Sequence, residues 1–157
     1  MKTKTLVILG GMGVFAAGLY WALMQEVNRE TAKFSASVSG VVDVTHEVLA
    51  RGLGDVNKQD HLLVLLVDPA TGRPVASHME SILVPPQSFV VGQQEAMGDF
   101  DPQGRYYVVA ITDKDGNGMQ PAPGELYGRT AQPVPLGTQE IQLMLDRPFR
   151  GKLLDGL

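Results

Sequence analysis

The stretch 105–128, RYYVVAITDKDGNGMQPAPGELYG, constrains the fold more than any other part of the chain. It opens as a strand in which Tyr106, Val108 and Ala110 point to one face and Tyr107, Val109 and Ile111 to the other. Both faces are apolar, so the strand must be covered on both sides and lie inside a sheet. It then runs into Asp113-Lys114-Asp115-Gly116-Asn117-Gly118, where carboxylates and an amide alternate with other residues and glycines permit tight turns. A buried strand must therefore emerge into a long polar loop.

The flanking sequence supplies partners for that strand. Residues 61–67, HLLVLLV, form a second two-sided apolar run of strand length. The composition of 68–74, DPATGRP, is that of a turn, and 75–81 is expected to return antiparallel. Residues 38–44 read as the first strand, 88–91 as a short one, and 126–130 as a short edge piece. In 139–146, Ile141, Leu143 and Leu145 alternate with Glu140, Gln142 and Asp146, as in a half-exposed strand. Thr45 to Gly54 has weak helical periodicity and reads as a short helical turn. The segment 146–157 is a basic, then apolar, tail. Six or seven strands between Gly/Pro turns, without a long helix in this part, predict an all-β, Ig-like antiparallel β-sandwich over 37–157.

Ahead of it, residues 5–24 carry no charge. That length in a helix spans the roughly 30 Å hydrocarbon layer of a bilayer. Lys2 and Lys4 precede it and acidic residues follow, which places 1–4 in the cytoplasm and the rest outside. A retained anchor is favoured over a cleaved signal peptide, because no convincing small-x-small site stands before a mature start. Residues 25–36 are a polar linker or helix extension. The expected location is thus a bacterial inner membrane, with one pass and a periplasmic domain. Gly10, Gly13 and Ala17 lie on one helix face and would let a helix of another membrane protein approach. Small residues are also common in single-span anchors, so the spacing admits both readings.

Composition narrows the chemistry. The formal net charge is −4, with 17 acids against 13 Lys and Arg. Two of those cations precede the apolar segment, which makes nucleic acid a poor partner for the domain. Cysteine is absent, which excludes disulfides, thiolate metal sites, a CxxC redox pair and covalent c-type haem attachment to this chain. Asp113, Asp115, Asn117 and Gly118 match the opening of a calcium loop. The twelfth position, where a bidentate acid belongs, is Gly124; Glu125 comes one residue late, and Pro121 and Pro123 intervene. The favoured reading of the same residues is an Asx-rich turn joining two strands, with calcium the alternative. His46, His61 and His78 are scattered, and His78 and Met79, as strand neighbours, face opposite sides and cannot readily share a copper ion. No serine sits in a nucleophile elbow, and Asp99 and Asp101 lie in a loop. The expectation is a non-catalytic domain without a cofactor, calcium aside.

Several blocks occur in a recognisable order. They are Val38-Ser39-Gly40-Val41-Val42, Arg73-Pro74-Val75-Ala76-Ser77, Pro86 to Phe89, Glu95-Ala96-Met97, Tyr107-Val108-Val109-Ala110, Asp115-Gly116-Asn117, Pro123 to Gly128, and Gln142 to Arg147. Together they resemble the C-terminal periplasmic domain of the c-type cytochrome biogenesis proteins called CcmI or CycH. The resemblance implies a β-sandwich that holds apocytochrome c for haem ligation by membrane partners. That family has a second span and a helical repeat region, which this sequence lacks. The expectation becomes an accessory subunit or assembly factor for a c-type cytochrome-containing respiratory complex. The alternative is a calcium- or small-ligand-binding periplasmic surface domain.

Overall fold

The structure is a computed structural model that describes residues 23–24, 36–47, 60–81, 83, 85–114 and 121–154. The chain forms two compact units, Met1–Phe34 and Ser35–Leu157. In the first, Leu23 and Met24 are helical. The rest of the expected span 5–24, with Gly10, Gly13 and Ala17, lies outside the described residues. Among those described, no helix is long and apolar enough to cross a membrane.

In the second unit the described regular elements are strands in two sheets, apart from a 3-10 turn at Gln93–Glu95 and the helical residues His46 and Glu47. The smaller has the order β4 (Gln87–Gly92), β1 (Ser37–Val44), β8 (Ile141–Leu145). The larger has the order β3 (Pro74–Glu80), β2 (His61–Val67), β5 (Arg105–Asp113), β6 (Leu126–Arg129), β9 (Arg147–Pro148), with β7 (Val134–Pro135) also on β5. The expectation of an all-β sandwich holds. The pairing of β1 with β8 is parallel, with Gly40 opposite Ile141 and Val44 opposite Leu145; the other pairings are antiparallel. Parallel strands need a crossover, and here β2 to β7 intervene between them. Residues 126–129 are not an edge, because β6 bonds β5 on one side and β9 on the other.

The two-sided strands β2 and β5 lie at the centre of the larger sheet, and each face has its own apolar cluster. Toward the smaller sheet, Leu62, Val64, Leu66, Val108 and Ala110 meet Val42, Phe89, Leu143 and Leu145. On the opposite face, Leu63, Leu65, Val109, Ile111 and Tyr127 are joined by Phe149 from the tail, with Leu153 and Leu154 packed against them. The tail is therefore a strap over the outer face, which is why β5 can be apolar on both sides.

Strand directions give the sandwich two ends. Ser37 starts β1 beside Gly92 at the end of β4, and the Gln93 amide donates to the Ala36 carbonyl at 3.0 Å. The chain therefore enters the domain at this near end, which also carries the turn after β2 and the loops 93–104 and 130–140. Leu83, between β3 and β4, donates to the Asp60 carbonyl just ahead of β2 at 2.8 Å. Asp113, the last residue of β5, stands opposite His61. Asp113 and Lys114, where the loop after the central strand begins, thus lie at the far end, opposite the point where residue 36 comes in.

Candidate functional site

The described buried polar residues are concentrated at the far end: Asp60, Thr112, Asp113 and Glu125, with Ser37 alone at the near end. Thr112 closes β5, and its Oγ1 accepts the Leu126 amide at 2.8 Å, which brings β6 back alongside. Glu125 is only 4% exposed. Its Oε1 accepts the amide of Lys114 at 3.0 Å, and its Oε2 accepts the amide of Ala122 at 2.7 Å. One carboxylate thereby ties together the two ends of the loop 114–122. The tail completes the brace: the Phe149 amide donates to the Glu125 carbonyl at 2.6 Å, and the Gly124 amide, at positive φ, to the Phe149 carbonyl at 3.0 Å.

This arrangement bears on the sequence-predicted calcium residues. Asp113 is 5% exposed at the root of the loop. Asp115 and Asn117 lie outside the described residues. Among those described, no group of three or more His, Asp or Glu side chains is placed to hold a metal. Glu125 closes the loop by hydrogen-bonding backbone amides. Its position one residue past the calcium register is the signal that it has another task. Glu125→Gln keeps one acceptor but turns an NH2 toward the other amide, so we expect about 1–3 kcal/mol of lost stability in a urea titration.

The other sequence candidates are dispersed. His78 pairs with Glu80 at 2.9 Å between Nε2 and Oε1. His78 stands opposite Val64 on the inner side and Met79 opposite Leu63 on the outer side, so the two do face apart. Met97 Sδ accepts the Ser77 hydroxyl at 3.4 Å. His61 keeps a buried Nδ1 without a hydrogen-bond partner.

At the near end is an open cleft of about 490 Å³, lined by Asp68, Val75, Asp99, Phe100, Asp101 and Tyr106, among others. Phe100 stacks on Tyr106 with ring centroids 5.4 Å apart. The Tyr106 hydroxyl donates to the Asp101 carbonyl at 2.8 Å and accepts the Asp101 amide at 3.0 Å. Burial pushes this phenol above its usual range, the Asp101 backbone bond opposes the shift, and the Asp101 and Asp68 carboxylates add to it. Two of the carboxylates close turns. Asp68 accepts from the Ala70 amide and the Thr71 hydroxyl, each at 2.9 Å, and Asp101 from the Gln103 amide at 2.9 Å.

No protein-family model matches the chain. No curated protein matches it either. Among solved structures, an alternative pilotin from the type II secretion system of Vibrio cholerae is similar, with 17% identity and a TM-score of 0.45, over 73% of this chain and 97% of that one.

Proposed function

We propose that this chain is a non-catalytic protein-binding module, held to a membrane by its N-terminal segment and displayed in the periplasm. Its role is that of an accessory subunit or assembly factor for a c-type cytochrome-containing electron-transfer complex. One observation supports the binding role above others. Glu125 braces Lys114 and Ala122, the two ends of the loop that follows the central strand, at the end of the sandwich opposite Ala36. These bonds fix the two ends of the loop on the sheet, and loops positioned by a scaffold are where recognition is carried. The order of sequence blocks shared with the cytochrome biogenesis family supports the choice of partner.

Affinity purification of the full chain from detergent-solubilised membranes tests this. The expected result is a retained partner that stains for haem. Its recovery falls at least fivefold in Glu125→Gln, while the variant protein still shows a cooperative thermal transition. A wild-type chain that elutes alone counts against the proposal. A melting temperature that rises with calcium, and no longer does so in Asp113→Ala, would favour the cation-binding alternative.

A further inference from the structure

Bare sheet edges invite other strands, and proteins normally blunt them. Among the described residues, three of the four outer strands are blunted. β3 is covered by the bridge from Ala76 to Ala96 and by the Met97 amide, which donates to the Val75 carbonyl at 2.9 Å. β8 packs against β6 at the sandwich corner, where the Asp146 amide donates to the Tyr127 carbonyl at 3.3 Å. β9 is two residues long and contains Pro148. β4 is the exception. It is six residues long, QSFVVG, without a charge or proline.

The direction of its free groups follows from the register. Gln87, Phe89 and Val91 stand opposite Val42, Gly40 and Val38 of β1. The Gln93 amide bonds the Ala36 carbonyl in the same phase. Alternation along an antiparallel strand turns the backbone groups of Ser88, Val90 and Gly92 away from β1. Two side-chain bonds agree: Gln87 Nε2 donates to the Ser88 carbonyl at 3.2 Å, and Glu95 Oε2 accepts the Gly92 amide at 2.9 Å. Between them, the Ser88 amide and both Val90 groups face outward, with no strand beside them among the described residues, and Val90 is 45% exposed.

We propose that the outer edge of β4 receives an extended segment of a partner protein by strand addition, bonded to Ser88 and Val90. Recognition is of backbone, so the segment must offer two residues spaced by one, neither of them proline. The other occupant that such an edge admits is a second copy. Two-fold pairing of β4 with itself points the two Ala36 ends in opposite directions, an arrangement opposed by N-terminal tethers in one membrane. The choice of occupant therefore rests on the membrane-tethered reading above.

Amide exchange of the peptide 87–92, followed by mass spectrometry on the full chain, tests the proposal. It is measured in native membranes and again on the chain purified free of partners. Exchange is expected to be at least tenfold slower in membranes. The slowing should disappear in Val90→Pro and persist in Val90→Thr, with both variants melting close to wild type, because the Val90 amide is turned away from β1 and no strand among the described residues lies beside it. Val90→Lys should likewise abolish it and serves should proline disturb β4. Equal exchange in the two preparations overturns the proposal. So does slow exchange that persists in a purified species with the mass of two copies. Protection by a partner without haem retains the edge and removes the cytochrome reading; a haem-containing complex with an unprotected edge does the reverse.

Discussion

Gly128→Ala is expected to destabilise the sandwich by about 3 kcal/mol, whereas Gly98→Ala should change it by less than about 0.5 kcal/mol. Gly128 stands opposite Ala110, so the position of its missing side chain faces inward, toward the smaller sheet. There the backbone of β8 comes directly against it. A Cβ would collide with the Met144 carbonyl oxygen and lie 2.8 Å from its carbon and 3.3 Å from the Leu145 nitrogen. Those atoms are backbone, and β8 is bonded along its length to β1. Neither strand yields without giving up ladder hydrogen bonds or opening the corner that covers the edge of β8. Around Gly98, by contrast, a Cβ would meet nothing within 4 Å. At this domain size the loss corresponds to a melting temperature lower by roughly 10 °C. Urea unfolding should show a lower midpoint with an unchanged slope. A variant as stable as wild type would mean that the two strands do not touch here.

The same corner shows what the sequence made legible. β2 and β5 announced themselves because two-sided apolar runs admit only an interior position, and the structure places them at the centre of the larger sheet. β8 was legible because Ile141, Leu143 and Leu145 alternate. The region 126–129 was not, since four residues with a glycine look like an edge. Its interior place depends on β9, a strand of Arg147 and Pro148 that carries no strand signal of its own. The parallel partnership of β1 and β8 was equally hidden, because periodicity reports which face a strand buries and says nothing of its neighbour's direction. At the far end, Asp113 was visible as a loop root. Glu125 was judged against a metal-ligand register, whereas its carboxylate bonds two backbone amides. Nothing in a local pattern marks a side chain that reaches 11 residues back to Lys114.

Phe149→Ala is expected to cost about 3–5 kcal/mol, far more than a tail residue near a chain's end ordinarily would. The reason is that the strap does two jobs with one residue. The ring of Phe149 is 5% exposed and lies 5.9 Å from that of Tyr127, within the apolar cluster that covers β2 and β5 from outside. Its backbone holds Glu125 and Gly124, the same turn whose carboxylate braces the polar loop. Beyond it the Tyr127 hydroxyl donates to the Leu153 carbonyl. Arg147 lies 5.2 Å over the Tyr127 ring, and Arg129 5.1 Å over that of Tyr107. Removing the ring leaves a cavity against Tyr127 and loosens the anchor of the strap, so the effect should spread to the loop. Amide exchange is expected to accelerate first in 122–127, with β1 and β8 still protected, because the inner cluster keeps its own contacts between the sheets. Phe100→Ala, by comparison, removes a half-buried ring at the near end and should leave 122–127 unchanged. If Phe149→Ala cost less than about 1 kcal/mol and left exchange at 122–127 unaltered, the strap would not be what covers the outer face. The coupling between tail and far-end loop would then be absent, and loss of partner in Glu125→Gln would have to arise within the loop alone.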